Sequence, residues 1–340
     1  MTVDHTVTMN ARKLRFLKVT SLVVLTLQNS ILGLSMRYAR TRPGELFLSS
    51  TAVLMSELTK LVLCLVFVFF EEEKNYERWL NKLHSIIIKQ PMDTLKVCIP
   101  SFVYILQNNL LYVSASHLDA ATYQVTYQLK ILTTAVFAVV MLKRTLPLQQ
   151  WVALIVLVLG IVLVQLASSS DSTSRSSDLE QNRLKGFAAA LTACMLSGFA
   201  GIYFEMILKG SNISIWMRNV QLSLLSLPIG MITCFVSDYE KILSHGFFVG
   251  YDLFVIYLIY LQAIGGLVVA VVVKYADNIL KGFATSLAIV LSSVGSIYLF
   301  DFSLSYQFIL GSVLVMVSIL LYNVSPSKKV QRPTSDVGKV

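Results

Sequence analysis

Long apolar stretches separated by short polar breaks are the main pattern along the chain. A membrane-spanning helix needs about 20 mostly apolar residues, and ten stretches meet this requirement. They are Phe16–Met36, Leu46–Phe70, Leu95–Ser114, Ala120–Leu142, Leu148–Leu166, Gly186–Leu208, Ile213–Val236, Leu253–Val273, Ile279–Phe300 and Phe308–Tyr322. The runs are too long and too continuous for the alternating strands of a barrel. The pattern therefore predicts an all-α membrane protein with ten transmembrane helices.

A serine-rich segment divides these helices into two groups of five. Residues 167–184 are polar and typical of a flexible linker. The predicted organisation is an N-terminal segment at 1–15, a first half at 16–166, the linker at 167–184, a second half at 185–323 and a tail at 324–340. Because five is odd, the second half must enter the membrane in the opposite orientation. This is the inverted repeat common among secondary transporters.

Composition and charge support a membrane location. The chain is 55% hydrophobic and 14% charged, with a mean hydropathy of +0.69, which is too apolar for a soluble surface. If the N-terminus is cytosolic, that side carries about twice as many lysines and arginines as the other. We therefore expect both termini in the cytosol and the linker in the lumen. The net charge of +9 comes without a nucleic-acid recognition motif, so no nucleic-acid partner is expected.

Neither a metal site nor catalysis is predicted. The four cysteines lie in apolar stretches without CxxC spacing, and the four histidines are scattered. The chain has no GxxxxGK[ST] phosphate loop, HExxH site or GxSxG elbow. We therefore predict no enzyme, no ATP-driven pump and no cofactor.

Six basic residues fall within or at the edges of the predicted spans: Lys60, Lys96, Lys130, Arg218, Lys274 and Lys281. A charge at the bilayer centre costs at least about 2.5–3.5 kcal/mol on insertion scales. The hypothesis for such residues is that they face a water-filled cavity and bind a ligand.

Lys130 is the clearest candidate, near the middle of Ala120–Leu142. Tyr123, Tyr127 and Lys130 have the i, i+4, i+7 spacing of one helix face. An ammonium beside two rings suits a ligand with both a phosphate and a flat base. The alternative is that the tyrosines pack between helices and Lys130 pairs with a buried acid.

Other candidates lie in the third, seventh and ninth stretches. Lys274 and Lys281 flank the start of the ninth stretch, and Lys281 is the deeper of the two. The Lys274 side chain could bind the ligand or, equally, extend to the membrane interface. The amides of Asn108 and Asn219 can bind a sugar or a uracil edge, or bond between helices instead; Tyr104 lies one turn before Asn108.

Small residues in the sixth stretch predict a close helix contact. Ser197 and Gly201 form a small-xxx-small pair. Backbone exposed at Gly198 or Gly201 could instead line a cavity.

Residues 14–323 resemble the nucleotide-sugar transporters of the drug/metabolite transporter superfamily. The most specific stretches are Gln107–Tyr112, Leu118–Thr134, Ser197–Glu205, Arg218-Asn219-Val220-Gln221 and Val273–Ser286. Arg37-Tyr38-Ala39-Arg40-Thr41 is similar to the animal Golgi carriers of UDP-galactose and UDP-N-acetylglucosamine.

The resemblance implies ten helices in two inverted halves. It also implies exchange of cytosolic UDP-galactose for lumenal UMP across the Golgi membrane, and it allows UDP-N-acetylgalactosamine as a second substrate. It also implies ligand contacts at Tyr104, Asn108, Tyr123, Tyr127, Lys130, Asn219, Lys274 and Lys281. A homodimer is compatible with the sequence.

Three alternatives stay open. The chain could carry UDP-N-acetylglucosamine or CMP-sialic acid, or transport another small phosphorylated anion. A receptor or scaffold without transport is the third, and it gives no reason for Lys130 in mid-span.

Overall fold

The computed structural model describes residues 11–170, 182–209, 213–275, 278–300 and 304–324. Within these ranges, side chains are described for residues 20, 22–166, 182–207, 213–268, 287–300 and 304–322. The described part of the chain contains helices and no strand, as the apolar pattern predicts.

The described residues form thirteen α-helices and one π-helical turn. They are α1 (Ala11–Thr41), α2 (Ser49–Glu71), α3 (Tyr76–Leu83), the π-helical turn His84–Ile88, α4 (Pro91–Lys96), α5 (Cys98–His117), α6 (Ala120–Thr126), α7 (Leu129–Leu142), α8 (Leu148–Ser170), α9 (Arg183–Lys209), α10 (Ile215–His245), α11 (Leu253–Tyr275), α12 (Asn278–Phe300) and α13 (Tyr306–Val324).

Among the described residues, six helical segments are long and apolar enough to cross a membrane. They are Ser49–Glu71, Pro91–His117, Ala120–Leu142, Leu148–Leu166, Arg183–Ile207 and Ile215–His245. Three shorter apolar helices, Leu253–Val268, Leu287–Phe300 and Tyr306–Tyr322, accompany them. On α2, Val53 and Val68 are buried while Val62 and Phe70 are exposed. Helices that are apolar all round in this way are covered by lipid rather than water.

The helices pack in matched sets. The N-terminal helix α1 packs on α11 and α12, and α9 packs in the same way on α5 and α7. Likewise α2 packs on α10 and α8 packs on α13. Side-chain contacts give the direction of one of these pairs: Ser30 bonds to Ala288 and Leu34 contacts Gly295, so α1 and α12 are parallel.

The α8–α13 pair meets through two glycines. A Cβ built at Gly160 would lie 2.8 Å from the Gly311 carbonyl oxygen, and one at Gly311 would lie 2.6 Å from the Gly160 oxygen. The same Cβ positions meet Val315 and Val164, respectively. The contact is reciprocal and antiparallel, so the two backbones approach more closely than any larger residue permits.

The structure differs from the predicted elements at several boundaries. The helices α8 and α9 extend into both ends of the predicted linker. Residues 171–181 of the linker lie outside the described part of the chain, as do residues 1–10 and 325–340. Between α2 and α5, the chain forms the short helices α3 and α4, which the span pattern did not predict. The predicted span Ala120–Leu142 is broken after Thr126.

Candidate functional site

Two parallel aromatic rings and a lysine lie together at the break between α6 and α7. The ring centres of Tyr123 and Tyr127 are 6.1 Å apart with an interplanar angle of 3°. The Lys130 Nζ lies over the Tyr127 ring, 4.3 Å from its centre. Lys130 and Tyr127 are half-buried. The structure therefore brings together the three residues that the helical spacing placed on one face, with the ammonium in cation–π contact.

The break results from tight turns in the backbone. The amides of Gln128, Lys130 and Ile131 bond to carbonyls three residues earlier, at Val125, Tyr127 and Gln128, rather than four. A short stretch of this geometry inside a helix often marks a hinge.

Side chains from other helices hold the break. Gln165 of α8 donates to Thr126 Oγ1 at 2.5 Å. The thiol of Cys194 on α9 donates to the Tyr127 carbonyl oxygen at 3.5 Å. These bonds stabilise a backbone that the local sequence would otherwise complete as a regular helix.

Gln107 of α5 orients the Tyr127 side chain. Its Nε2 donates to the Tyr127 hydroxyl at 3.0 Å. Its Oε1 is buried and has no hydrogen-bond partner in the described part of the chain. Leaving a buried acceptor unsatisfied costs about 1–3 kcal/mol. Such a group beside a candidate site is available to a donor that arrives with a ligand or water.

Close packing of α9 against α7 occurs at Gly198, whereas Gly201 of the predicted pair Ser197 and Gly201 makes no close contact. A Cβ at Gly198 would lie 2.7 Å from Thr133 Oγ1, whereas one at Gly201 would meet nothing within 4 Å. The Thr133 hydroxyl also donates to the Cys194 carbonyl at 2.6 Å. The small-xxx-small pattern identified the right turn of α9 and the wrong residue.

The remaining predicted site residues differ in burial and in hydrogen bonding. Tyr104 and Asn108 are half-buried on α5, and neither side chain makes a hydrogen bond to another described residue. The amide of Asn219 donates to the Ile215 carbonyl of its own helix at 2.9 Å. The side chains of Lys274 and Lys281 lie outside the described residues.

A buried acid accompanies Lys60. Glu57 is 3% exposed, and its Oε1 lies 2.7 Å from Lys60 Nζ. Its Oε2 accepts a bond of 3.2 Å from Ser223 on α10. The pair lies within α2 and partly neutralises Lys60. Sequence reasoning noted the lysine and missed the acid, although the i, i+3 spacing was a visible signal.

Arg218 contradicts the hypothesis that basic residues in the spans face a water-filled cavity. Its side chain is completely buried. Its Nη1 donates to Asp93 Oδ2 at 2.6 Å and to Gln221 Oε1 at 2.8 Å, while Gln221 in turn donates to Thr94. Desolvating a guanidinium is costly unless a carboxylate compensates it, so Arg218 joins α10 to α4 instead of lining the site.

Another ion pair joins the α1–α2 loop to the residue before α11. Arg42 Nη1 is 2.5 Å from Asp252 Oδ2, and its guanidinium lies over the Phe254 ring. The hydrogen bond from Arg42 holds the pKa of Asp252 below its ordinary value. Nearby, burial raises the pKa of Tyr251 to about 12, despite its hydrogen bond to Thr51.

The site can bind an anion that carries a flat ring. A half-buried ammonium attracts negative charge, and tyrosine faces stack with aromatic bases. Among the described residues, no group of His, Cys, Asp and Glu side chains could hold a metal ion. Binding is therefore the chemistry that these residues support.

A nucleotide-sugar transporter family model matches residues 13–323. The chain belongs to this family. The mouse (Mus musculus) UDP-galactose translocator is 50% identical over 309 residues, which cover 91% of this chain and 79% of that protein. The UDP-galactose/UDP-N-acetylglucosamine transporter of Caenorhabditis elegans is 48% identical, covering 90% of this chain and 82% of its own.

The bovine (Bos taurus) UDP-N-acetylglucosamine transporter is 48% identical over 322 residues, covering 94% of this chain and 98% of its own. Membership confirms the family suggested by the sequence. As a nucleotide-sugar transporter, the protein needs a site for phosphates and a base within a helical membrane bundle.

Proposed function

We propose that the protein is a Golgi antiporter that brings UDP-galactose, and also UDP-N-acetylgalactosamine, into the lumen in exchange for UMP. The observation that carries the proposal is the Lys130 ammonium over the Tyr127 ring, beside the stacked Tyr123. The cation suits a diphosphate and the rings suit uracil. The 50% identity to a UDP-galactose translocator supports a UDP-sugar as the substrate.

UDP-N-acetylglucosamine is the second candidate. The bovine relative named for it is 48% identical and matches nearly its entire length, and the worm relative is named for both sugars. The difference of two percentage points does not separate the sugars, whereas both names share the uridine diphosphate that the proposed site would bind.

The proposed architecture is ten spans in two inverted halves, with both termini cytosolic. The matched packing supports this architecture. The helix α1 packs on two helices of the other half, α11 and α12, and α9 packs on two helices of the first half, α5 and α7, as expected if α1 and α9 are the equivalent first helices of two repeats. The helices α8 and α13 would be the last of each half. Their reciprocal contact through Gly160 and Gly311 fits a two-fold axis between the halves.

In the proposed mechanism, Lys130 and Lys281 come from opposite halves and contact the phosphates from two sides. A UDP-sugar and UMP each carry close to two negative charges, so either would offset two ammoniums. Without a ligand, two like charges in a medium of low dielectric constant repel one another. The empty site therefore resists closure and the filled site closes, which favours exchange over leak. Tyr104, Tyr123, Asn108, Asn219 and Lys274 complete the proposed site.

Transport into proteoliposomes preloaded with UMP tests the proposal. Labelled UDP-galactose should accumulate faster than CMP-sialic acid, and unlabelled UMP, but not a triose phosphate, should compete. Without internal UMP, uptake should fall to background. Equal uptake with and without UMP would contradict antiport, and no uptake of any nucleotide sugar would leave a scaffold role.

Variants test the site. Lys130→Gln removes a charged contact worth about 1.5–3 kcal/mol, so Vmax/KM should fall about tenfold to a hundredfold. Lys281→Gln should have a similar effect. The control is Lys241→Gln, because Lys241 is exposed near the end of α10. Full exchange by both site variants would refute the two-lysine mechanism.

A further inference from the structure

A continuous apolar line runs along the outside of α5 and onto the short elements before it. Ile88, Met92, Leu95, Ile99 and Phe102 follow one another at spacings of four, three, four and three residues. All are exposed, with fractions between 44% and 69%. Met92, Leu95, Ile99 and Phe102 belong to the helical segment Pro91–His117, where this spacing places them on one face, and Ile88 lies in the π-helical turn before that segment. Since α5 belongs to a segment that can cross a membrane, its exposed apolar face contacts lipid tails. We call these five residues the lipid stripe, which extends that contact toward α3.

The lipid stripe ends at the membrane surface. The α2 span ends at Glu71 and the next candidate span begins at Pro91, so residues 72–90 lie where two neighbouring spans leave the bilayer, and Lys96 lies within the first two turns of the second span. The other side of residues 72–90 is packed: Trp79 donates from Nε1 to the Leu65 carbonyl at 3.2 Å and belongs to an apolar cluster with Val68. The segment is thus held against the bundle with the stripe facing outward.

The cations of this segment differ in their partners, and Lys74 lies over the Phe70 ring. Arg78 is paired with Glu73 at 2.8 Å, and Lys82 is paired with Glu72. Lys89 and Lys96 are exposed and form no ion pair with any described residue. Each directly follows a member of the lipid stripe, at Ile88 and Leu95. Two available ammoniums therefore adjoin an apolar line at the level of the headgroups.

We propose that Lys89 and Lys96 bind the headgroup of an anionic phospholipid whose acyl chains lie along the lipid stripe. Apolar side chains next to lysines are the combination that anchors interfacial helices to anionic leaflets. We assign this lipid to the cytosolic leaflet, and that assignment rests on the orientation in the proposed function, where both termini are cytosolic. The binding itself does not depend on transport, so the two proposals can fail separately.

The test measures thermal unfolding of the full-length protein in neutral detergent with added lipid. A thiol-reactive dye reports unfolding, because Cys64, Cys194 and Cys234 are buried. Phosphatidylserine should raise the Tm more than phosphatidylcholine does, and glycerophosphoserine, which lacks acyl chains, should not raise it. Each lysine near an anionic surface contributes about 1 kcal/mol. Lys89→Gln with Lys96→Gln should therefore raise the phosphatidylserine concentration that gives half of the Tm increase about thirtyfold.

Two controls sharpen the outcome. Arg78→Gln removes a cation already paired with Glu73, and should keep the response to phosphatidylserine. Lys89→Arg with Lys96→Arg retains both charges and should keep it as well, which separates lost charge from poor folding. Native mass spectrometry should count fewer retained phosphatidylserine molecules on the double glutamine variant only. An unchanged response in that variant, or equal responses to the two lipids, would overturn the proposal.

Discussion

Gln107 donates a hydrogen bond of 3.0 Å to the hydroxyl of Tyr127, and thereby ties α5 to the break between α6 and α7. The face of the same tyrosine carries the Lys130 ammonium. A neutral amide on one helix therefore fixes the ring that positions the cation on another. The amide and the hydroxyl should act as one unit.

The first prediction is a coupling between these two residues. Gln107→Leu and Tyr127→Phe each remove the same hydrogen bond, worth about 1 kcal/mol, so each should raise the KM for UDP-galactose about fivefold. The double variant should be little worse than either single one, because contacting residues are not additive. Counterflow kinetics in proteoliposomes measure this.

Asn109→Leu is the matched control for the coupling. Asn109 lies on the same helix and donates to the Ile105 carbonyl of its own backbone. Its effect should add to that of Tyr127→Phe. If the fold-changes in KM of Gln107→Leu and Tyr127→Phe multiply in their double variant, as those of Asn109→Leu and Tyr127→Phe should, the hydrogen bond does not connect Gln107 and Tyr127 in function.

The second prediction concerns the contact of α8 with α13. A side chain at Gly160 would overlap the Gly311 carbonyl oxygen. Gly160→Leu should therefore cost about 1–3 kcal/mol or more and lower the Tm measured with the thiol dye. Gly201→Ala is the control, since a Cβ there meets nothing within 4 Å. Unfolding of both variants at the wild-type temperature would show that the glycine contact is not required.

The helical fold and the six clear candidate spans of the described residues were predictable because lipid imposes a simple rule: a long apolar run becomes a helix. The grouping of Tyr123, Tyr127 and Lys130 was predictable for a similar reason, since helical spacing alone brings them close. The break at Tyr127 was not. Thr126-Tyr127-Gln128 contains neither proline nor glycine, and the bonds that hold the break come from Gln165 and Cys194, which lie far along the chain.

The role of Arg218 was unpredictable for the same physical reason. Its partner Asp93 is 125 residues away, and Asp93 lies on a short helix that no apolar run indicates. An arginine at a span edge is therefore compatible with a cavity or with a buried pair. Only the position of the carboxylate decides between them.

The third prediction follows from this buried pair. Asp93→Asn keeps the shape of the side chain but removes the charge that compensates the Arg218 guanidinium. Breaking such a pair costs about 3–5 kcal/mol, so the Tm should fall strongly. Replacing both partners, by Arg218→Met with Asp93→Leu, leaves no uncompensated charge and should be less destabilising than Asp93→Asn alone. A double variant at least as unstable as the single one would contradict this account.

The last prediction is a pH dependence at Arg42 and Asp252. The hydrogen bond from Arg42 lowers the pKa of Asp252 in the folded protein. The pair therefore contributes stability above the unfolded pKa of about 3.9, and this contribution is lost as the pH falls through the lower folded pKa. The Asp252 side chain is 46% exposed, so the effect belongs to the range of about 0–1 kcal/mol for surface pairs.

The Tm difference between wild type and Asp252→Asn should therefore be small and positive near neutral pH. It should disappear in strong acid, and shrink in high salt because exposed charges are screened. Glu45→Gln is the control, because Glu45 is exposed in the same loop as Arg42 and forms no ion pair with a described residue; its Tm should follow that of the wild type throughout. A wild-type advantage that stays constant from neutral pH into strong acid would mean that the Asp252 carboxylate does not stabilise the fold through its charge.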